Sequence, residues 1–257
     1  MTPTVNLDAA AGSARYCGAI VGPVMNRLAG ARAPLDDATL TFQANEGGNL
    51  LHSGDAGFHA AVWEIAVATK TAVTFALDLA SDAFPGQRRI EVTYRLEGTD
   101  LVLEITGTTD APTLMNVGFH PYWTLTGRGR AGHELQVHAA HYLPMDRGNI
   151  PTGEIAEVSG TALDYRSART PSDDIDHCFV VDERDEVAPS VTLESDTLKL
   201  DILSDAPAVH VFTVMGIGIA VEPEINPDAP NHAHFPSIRL GPGETFHQTV
   251  IHRLTKR

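Results

Sequence analysis

Alternation of apolar and polar residues with a period of two constrains the fold of this chain more than any other feature. Apolar side chains recur at every second position over residues 73–79, over 90–96 and, beyond a polar turn at 97–100, over 101–105. The pattern returns on both sides of a short polar turn within 191–202. Because successive side chains of a β-strand point to opposite faces, each run predicts a strand with one buried face.

Frequent turns between these runs, and the lack of any long helical stripe, predict an all-β protein. Short strands with one apolar face each are typical of an antiparallel sandwich or barrel. The sequence contains no linker, low-complexity segment or repeat, so residues 1–257 are expected to form one domain. No apolar run is long enough to span a bilayer.

The balance of charge narrows the classes of partner. Lys plus Arg number 18 and Asp plus Glu number 33, which gives a formal net charge of −15. Such an excess of acid argues against nucleic acid or an anionic membrane surface as a partner. The two cysteines form no disulfide framework, and the N-terminal residues lack a basic region followed by an apolar one. We therefore expect a cytoplasmic protein, whose oligomeric state the sequence leaves open.

One segment, NVGFHPYWTLTG at 116–127, combines a histidine with a cluster of aromatic residues. Pro121 biases His120 towards an extended or turn conformation. Tyr122 and Trp123 offer flat apolar faces with polar edges, a type of surface that stacks on sugar rings. A lone histidine is more often an ordinary core or surface residue, so a catalytic interpretation of His120 requires a partner.

The segment MGIGIAVEPE at 215–224 offers that partner. If it is one strand, one face is apolar, while the other carries the glycines at 216 and 218, then Ala220 and Glu222. The second face is then nearly bare up to Glu222, which leaves room for a ligand beside a carboxylate. Alternatively, another strand or a bulky side chain packs there and Glu222 forms an ion pair. Glu224 ranks second because Pro223 interrupts the alternation, and a last strand is predicted over 245–252.

Other polar residues lie where a ligand-binding role and an ordinary structural role are both open. Asn26 and Arg27 follow a short buried run, and Arg27 by itself is typical of a surface cation. His52 lies in the glycine-rich loop 43–57, where the backbone can approach a ligand closely. Asp176 is the acid nearest to the strand that follows it, so we expect it to be the most rigidly held of its acidic run.

Together and in order, these segments resemble the aldose 1-epimerase (mutarotase) family. The matching segments are HPYW with an Asn four residues before the His, NLLHSG, DIDHCFVV, VEPEINPDAPN and FPSIRLGPGETF. FPGQRRIEVTYRL and IPTGEI match in kind and order, so the resemblance extends from about residue 18 to residue 252. It implies a large antiparallel β-sandwich of the galactose mutarotase-like type. It also implies interconversion of the α and β anomers of a free aldose without a cofactor.

The resemblance implies roles for the candidate residues as well. His120 stands where the family has its general acid, and Glu222 where it has its general base. His52 matches the second active-site histidine, and Asn26-Arg27 and Asp176 match residues that hold sugar hydroxyls. With the aromatic segment included, the expected substrate-binding residues are Asn26, Arg27, His52, Asp176 and Trp123.

Three departures from the family pattern bear on sugar preference rather than on the reaction. Gly22-Pro23 stands where a glycine–arginine pair is usual, and Ser53-Gly54 where two glycines are usual. Glu224 stands where many relatives have glutamine.

The residue types suit the chemistry of such a reaction. Opening a pyranose requires removal of the proton of the anomeric hydroxyl and protonation of the ring oxygen. A carboxylate and an imidazolium on opposite sides of that unit perform both transfers, so we expect no metal and no cofactor. Because the ordinary pKa values are roughly 4.3 and 6.5, the sequence predicts a bell-shaped pH–rate profile. Its acidic limb would come from Glu222 and its basic limb from His120.

The sequence also allows a metal site as an alternative to the acid–base pair. His52, His120 and Glu222 provide the residue types of a two-histidine, one-carboxylate metal centre. The pair at His232 and His234 also looks superficially like a cupin metal pair, but no glutamate follows within a few residues, and Pro236 does.

Two further alternatives concern the substrate and the class of protein. A hexose-phosphate epimerase on the same fold would need a basic pocket, for which Arg128 and Arg130 are the only basic pair near the matched motifs. A non-catalytic sugar-binding module would need aromatic rings and partners for hydroxyl groups, but no acid–base pair. The presence of both His120 and Glu222 favours an enzyme.

Overall fold

Nearly every regular element is a β-strand in the computed structural model, which describes residues 15–181 and 186–257. In chain order the strands up to residue 109 are β1 Ala19–Val21, β2 Arg27–Leu28, β3 Arg32–Leu35, β4 Ala38–Thr41, β5 Leu50–Leu51, β6 Glu64–Ala68, β7 Ala72–Leu79, β8 Arg88–Glu97 and β9 Asp100–Thr109. Then follow β10 Thr113–Leu114, β11 Gly118–His120, β12 Tyr122–Trp123, β13 Glu134–Val137, β14 His141–Tyr142, β15 Ala156–Glu157 and β16 Asp176–Val180. The last are β17 Ala188–Glu194, β18 Leu198–Ser204, β19 Ala208–Phe212, β20 Ile219–Glu224, β21 Arg239–Leu240 and β22 Phe246–Lys256.

Helical structure is limited to short turns in the described part of the chain. These are 3-10 turns at Ala29–Ala31, Gly54–Ala56, Phe58–Ala60 and Ala229–Asn231. None of them approaches the length and apolar character that a membrane-crossing helix requires.

Two large antiparallel sheets form a sandwich, as the alternation and the family resemblance predict. The larger sheet has eight strands in the order β13-β17-β18-β22-β9-β8-β7-β6. The smaller has six strands in the order β12-β20-β19-β16-β14-β15. Short strands add the two-stranded sheets β1-β11, β2-β5, β3-β4 and β10-β21. The predicted hairpin is present as β8 and β9, which pair without interruption from Arg88 and Thr109 to Glu97 and Asp100.

The main hydrophobic core lies between the two large sheets. The larger sheet contributes alternating residues such as Ile90, Val92 and Leu103, and the smaller contributes Val209 and Val221. Burial of a side chain of this size stabilises the fold by roughly 1.5–3 kcal/mol relative to leaving it exposed.

The smaller sheet is covered on its other face as well. A second apolar cluster there joins Cys178 of β16 and Ala208 of β19 to Leu28, Ala33 and Leu50 of the N-terminal strands. Because both faces of this sheet are covered, a polar side chain on its central strands is withdrawn from bulk water and needs partners inside the protein.

Two predicted strand boundaries are wrong. The chain turns at 213–216 and bends over 216–218, and β20 begins only at Ile219, so the bare strand face expected before Glu222 is not formed. Gly216 has a positive φ of 69°, and a Cβ at Gly218 would lie 2.8 Å from the carbonyl oxygen of Trp123. These glycines therefore serve a turn and a close backbone contact. The last strand, β22, continues to Lys256 instead of ending at 252.

Candidate active site

Three central strands of the six-stranded sheet bring the candidate residues together. Strands β16, β19 and β20 are neighbours, with Cys178 paired to His210 and His210 paired to Glu222. Alternation along β20 turns Ile219 and Val221 into the main core, so Glu222 projects from the opposite face. His210 and Glu222 thus lie side by side under the N-terminal strands.

A cavity of about 250 Å³ opens above this part of the sheet. Its floor comes from β16, β19 and β20, and its walls come from the segment after β1, the glycine-rich loop and the strands around His120. The lining residues are Tyr16, Asn26, Arg27, Glu46, Leu51, His52, His120, Tyr122, Asp176, His210, Phe212, Met215 and Glu222.

The imidazole of His120 and the carboxyl group of Glu222 are adjacent in this cavity. His120 Nε2 lies 3.5 Å from Glu222 Oε2, and both side chains are buried. The His120 ring is stacked on Tyr122 at 5.2 Å between centroids and on Tyr16 at 6.1 Å. Two aromatic faces thus fix the plane of the imidazole, and its Nε2 edge faces the carboxyl group.

Burial favours the neutral form of both groups. It is the largest cause that raises the pKa of Glu222 well above its ordinary value, followed by the charges of Glu224 and Asp176. Burial and the neighbouring His210 lower the pKa of His120 to about 3. The pair becomes an ion pair only when the proton moves from Glu222 to His120, so burial favours the proton on the carboxyl group.

His52 and Asn26 are locked to each other by two reciprocal hydrogen bonds. The backbone N–H of Asn26 donates to His52 Nδ1 at 3.1 Å, and the backbone N–H of His52 donates to the Asn26 carbonyl at 2.9 Å. Burial and the nearby His120 hold the pKa of His52 well below its ordinary value. Because Nδ1 is an acceptor in a neutral ring, the proton of His52 is on Nε2, where it can be donated to a ligand.

Arg27 is held by a carboxylate of the glycine-rich loop. Its Nε and Nη2 donate to the two oxygens of Glu46 at 2.6 and 3.0 Å. Burial opposes the charge of Arg27, but the hydrogen bond to Glu46 and the charge of Asp176 leave its pKa raised. This two-pronged contact fixes the guanidinium plane and leaves Nη1 for a ligand.

A chain of hydrogen bonds links Asp176 to Glu224 beneath the cavity. Asp176 Oδ1 lies 2.8 Å from His210 Nε2, and Asn26 Nδ2 lies 3.2 Å from His210 Nδ1 and 3.0 Å from Glu224 Oε1. Burial opposes ionisation of Asp176, but the hydrogen bond to His210 and the charges of His210 and Arg27 leave its pKa below the ordinary value. Asp176 also accepts a hydrogen bond from Asn149, so its position is fixed on two sides.

Trp123 does not lie in this cavity, in contrast to the expectation from the sequence. Tyr122 pairs with Ala220 and Trp123 with Ile219, so the two aromatic rings point to opposite faces. Trp123 packs against the main core, with its ring 5.0 Å from that of His252. The aromatic ring of the site is therefore that of Tyr122. Adjacent residues of a strand face opposite sides of the sheet, so a shift of one position along the strand decides which of the two rings enters the cavity.

The remaining predicted residues, His120, Glu222, Asn26, Arg27, His52 and Asp176, all line the cavity. Sequence reasoning missed His210, Glu46 and Tyr16. His210 carried a usable signal, because it is the lone polar residue of the apolar run AVHVF and alternates with Ala208 and Phe212. Glu46 lies in the same glycine-rich loop as His52, at 43–57.

The alternative metal set of His52, His120 and Glu222 is not among the clustered ligand groups of the described residues. Among the described residues, the one group of three whose ligand atoms lie within 4.8 Å of one another is Cys178, His210 and Glu224. His52 Nδ1 already accepts the backbone N–H of Asn26. At the surface, His234 Nε2 is bonded to the carbonyl of Gly153 at 2.7 Å, so the pair of His232 and His234 is not preorganised for a metal either.

The β-sandwich buries an imidazole beside a carboxyl group, and fixed hydrogen-bonding groups surround the pair. This is the kind of site found in an enzyme that moves protons on a small polar substrate. Comparison with known proteins gives the family. A family model for aldose 1-epimerases matches residues 3–253. An aldose 1-epimerase of Escherichia coli (strain K12) is 31% identical over 270 residues, which cover 91% of this chain and 78% of that protein.

Two further relatives indicate the same family. A galactose mutarotase of Sus scrofa is 29% identical and covers 91% of this chain and 78% of its own length. The solved structure of an aldose epimerase homologue from C. elegans matches with a TM-score of 0.91 at 26% identity, over 98% of this chain and 86% of that one. The chain belongs to the aldose 1-epimerase family, and it is an isomerase.

Proposed function

We propose that this protein interconverts the α and β anomers of a free aldose, with Glu222 as general base and His120 as general acid. The observation that carries the proposal is the 3.5 Å separation of His120 Nε2 and Glu222 Oε2 inside a cavity lined by polar groups. A sugar-binding module without activity needs no such buried pair, so the geometry supports an enzyme.

The reaction requires two proton transfers in each direction. In the ion-pair form, in which the single proton of the pair is on His120, Glu222 takes the proton of the anomeric hydroxyl while His120 gives its proton to the ring oxygen, and the bond between C1 and that oxygen breaks. Rotation about the C1–C2 bond and the reverse transfers close the ring to the other anomer. The open-chain stage has the proton on Glu222 and a neutral His120, which is the distribution that burial favours. Each positioned transfer contributes typically about 10²–10⁴-fold.

We assign the other polar groups of the cavity to holding the sugar. Arg27 Nη1 and the Nε2–H of His52 are the donors that the contacts with Glu46 and Asn26 leave available. Asp176 is an ionised acceptor for hydroxyl hydrogens. Tyr122 takes the stacking role in place of Trp123.

Polarimetry with freshly dissolved α-glucose and α-galactose tests the proposed function. The protein should shorten the approach to anomeric equilibrium in proportion to its concentration, and heat-denatured protein should not. A rate equal to the spontaneous one for all neutral aldoses tried would refute the proposed activity.

The pH dependence of kcat/KM should be bell-shaped. We assign its acidic limb to His120 and its basic limb to Glu222, which is the reverse of the assignment that the sequence suggests. The active form is the pair with one proton. At low pH His120 also takes a proton and no base remains; its pKa is lowered to about 3 by burial, so activity should persist well into the acidic range. At high pH Glu222 loses its proton and no acid remains. Because burial raises the pKa of Glu222, this loss occurs at a higher pH than for an ordinary glutamate. An acidic limb near the ordinary imidazole value of about 6.5 would contradict this order.

Neutral aldoses should be preferred over sugar phosphates. Arg27 is the one cation among the residues that line the described cavity, and it is already paired with Glu46. Arg130 is paired with Asp173 on the surface, and neither Arg128 nor Arg130 lines the cavity.

The kcat/KM for glucose or galactose should therefore exceed that for glucose 6-phosphate by about tenfold or more, because an unpaired charged group costs at least roughly 1–3 kcal/mol. Replacement of Arg128 and Arg130 by alanine is the matched control and should leave the ratio unchanged. A preference for the phosphate that disappears in this variant would favour a hexose-phosphate epimerase.

We also infer that a small-molecule sugar is the partner, that nucleic acid and membranes are not partners, and that the protein works in the cytoplasm. The net charge of −15 and the free thiols of Cys17 and Cys178 support this assignment.

A further inference from the structure

Behind the cavity floor, three adjacent strands bring a thiol, an imidazole and a carboxyl group together. Cys178 on β16 is the direct cross-strand partner of His210 on β19, and Glu224 lies on the neighbouring β20. Their ligand atoms all lie within 4.8 Å of one another, and His210 Nδ1 is 3.8 Å from Glu224 Oε1. All three side chains are buried. The catalytic roles assigned above use neither Cys178 nor Glu224.

His210 is oriented as metal-binding histidines usually are. Its Nε2 lies 2.8 Å from Asp176 Oδ1, and its Nδ1 faces an N–H of the Asn26 amide at 3.2 Å. Nδ1 is therefore the acceptor, and the Nε2–H is donated to a carboxylate. This is the second-shell arrangement that fixes the tautomer and the orientation of a metal ligand.

The carboxyl group of Glu224 independently indicates a missing ligand, because one of its oxygens has no hydrogen-bond partner within the parts of the chain that the structure describes. Its Oε1 accepts a hydrogen bond from Asn26, but its Oε2 is buried and no described residue donates to it. A buried carboxyl oxygen without a hydrogen-bond partner is costly and rare in native proteins, so it calls for a partner.

We propose that Cys178, His210 and Glu224 form a binding site for one thiophilic divalent cation, with Zn²⁺ as the best fit, and that occupation of this site inhibits the enzyme. Sulfur, imidazole nitrogen and carboxylate oxygen together are the donor set that Zn²⁺ prefers. Bonds of about 2.0–2.3 Å to a tetrahedral ion place neighbouring ligand atoms roughly 3.5 Å apart. The 3.8 Å between His210 and Glu224 is close to that spacing, and Cys178, within 4.8 Å of both, needs to approach by at most about 1.3 Å.

The binding step is balanced in charge. The Cys178 S–H bond and the Glu224 O–H bond break, the thiolate and the carboxylate coordinate the ion, and two protons pass to solvent. His210 binds through the lone pair of Nδ1 and keeps its proton on Nε2. One dication thus replaces two protons, and the buried cluster acquires no net charge, which avoids the cost of an uncompensated buried ion.

Inhibition follows from the position of the Asn26 amide. Its Nδ2 lies 3.0 Å from Glu224 Oε1 and 3.2 Å from His210 Nδ1, which is the space that the ion needs. A bound ion must therefore displace this amide. Asn26 also lines the sugar cavity, and its Oδ1 accepts a hydrogen bond from the backbone N–H of Arg27, so displacement of the amide disturbs both. The inhibition, unlike the binding, rests on the proposed function.

Titration with Co²⁺ tests the site without reference to activity. Wild-type protein should bind one Co²⁺ with the near-ultraviolet charge-transfer band of a cobalt–thiolate bond. Cys178→Ala should lose this band and bind at least about tenfold more weakly, whereas Cys17→Ala, the matched control, should keep both. Glu224→Gln keeps the shape of the side chain and should also weaken binding by about tenfold or more, which tests the site even if Cys178→Ala does not fold. The proposal would be overturned if cobalt bound without the thiolate band. It would also be overturned if Cys178→Ala and Glu224→Gln both bound cobalt as tightly as the wild-type protein.

The second arm measures mutarotation. Zn²⁺ should inhibit the wild-type protein, a chelator should restore the rate, and Cys178→Ala should keep its basal rate and resist inhibition. A variant with His232 and His234 both replaced by alanine should be inhibited like wild type, and protection in that variant instead would overturn the assignment. If the protein binds Co²⁺ through the thiolate but never accelerates mutarotation, the metal site stands and the proposed function fails.

Discussion

Replacement of Glu222 by glutamine should lower turnover by roughly 10²–10⁴-fold, the range that one positioned proton transfer supplies. Glutamine keeps the shape and most of the hydrogen-bonding capacity of the side chain but can neither take nor give the proton. Because the side chain is 2% exposed, solvent does not replace it as the base. The loss should therefore appear in kcat, with the affinity for the sugar largely retained. Polarimetry gives the rates, and calorimetric titration with galactose gives the affinity.

Glu157→Gln is the matched control for this substitution. Glu157 lies on the same six-stranded sheet but is exposed on the edge strand β15 and does not line the cavity. It should behave as wild type in both measurements. Wild-type turnover in Glu222→Gln would remove Glu222 from the mechanism, while an equal loss of binding and turnover would indicate a role in holding the sugar only.

Replacement of His120 by asparagine should have an effect of similar size, again about 10²–10⁴-fold in kcat. Asparagine is polar and smaller, so it fits the space between Tyr16 and Tyr122, but it does not transfer a proton at Nε2. The acidic limb of the pH profile should also disappear, because that limb belongs to protonation of His120. A merely structural role of the ring would lower the rate and leave the shape of the profile unchanged.

The two substitutions combined give a sharper test. Groups that act as one unit show strongly non-additive losses, so the double variant should be about as slow as the slower single variant. Multiplicative losses would mean that His120 and Glu222 act independently. His141→Asn, on β14 outside the cavity lining, controls for the loss of a partly buried histidine elsewhere in the protein and should leave the rate unchanged.

Much of the fold follows from local pattern. The hairpin of β8 and β9 is visible in the sequence because alternation and a polar turn at 98–99 are properties of neighbouring residues. The segment before β20 shows where this reasoning fails. Its glycines fit a strand as well as a turn, and the turn is adopted because the backbone at Gly218 must pass close to the carbonyl of Trp123, a residue far away in the chain.

The candidate site was predictable in its residue types and less so in its contacts. Ordered motifs pointed to His120, Glu222 and their neighbours, six of which line one cavity. The bond of Asn26 to His210 joins residues 184 positions apart, and no local signal encodes such a pairing. Trp123 and Tyr122 are adjacent in the chain, yet a phase of one residue sends them to opposite faces of the sheet.

The sequence by itself determined the alternating strands, the acidic surface charge and the supply of an imidazole and carboxyl groups, because these depend on composition and on spacing along the chain. Tertiary structure alone decided which of these groups meet and which charge each one carries. The pKa of Glu222 is raised and that of His120 lowered because the six-stranded sheet is covered on both faces and water is excluded from the pair. The same burial sets Cys178 beside His210 and Glu224, since cross-strand register places side by side residues that are far apart in the chain.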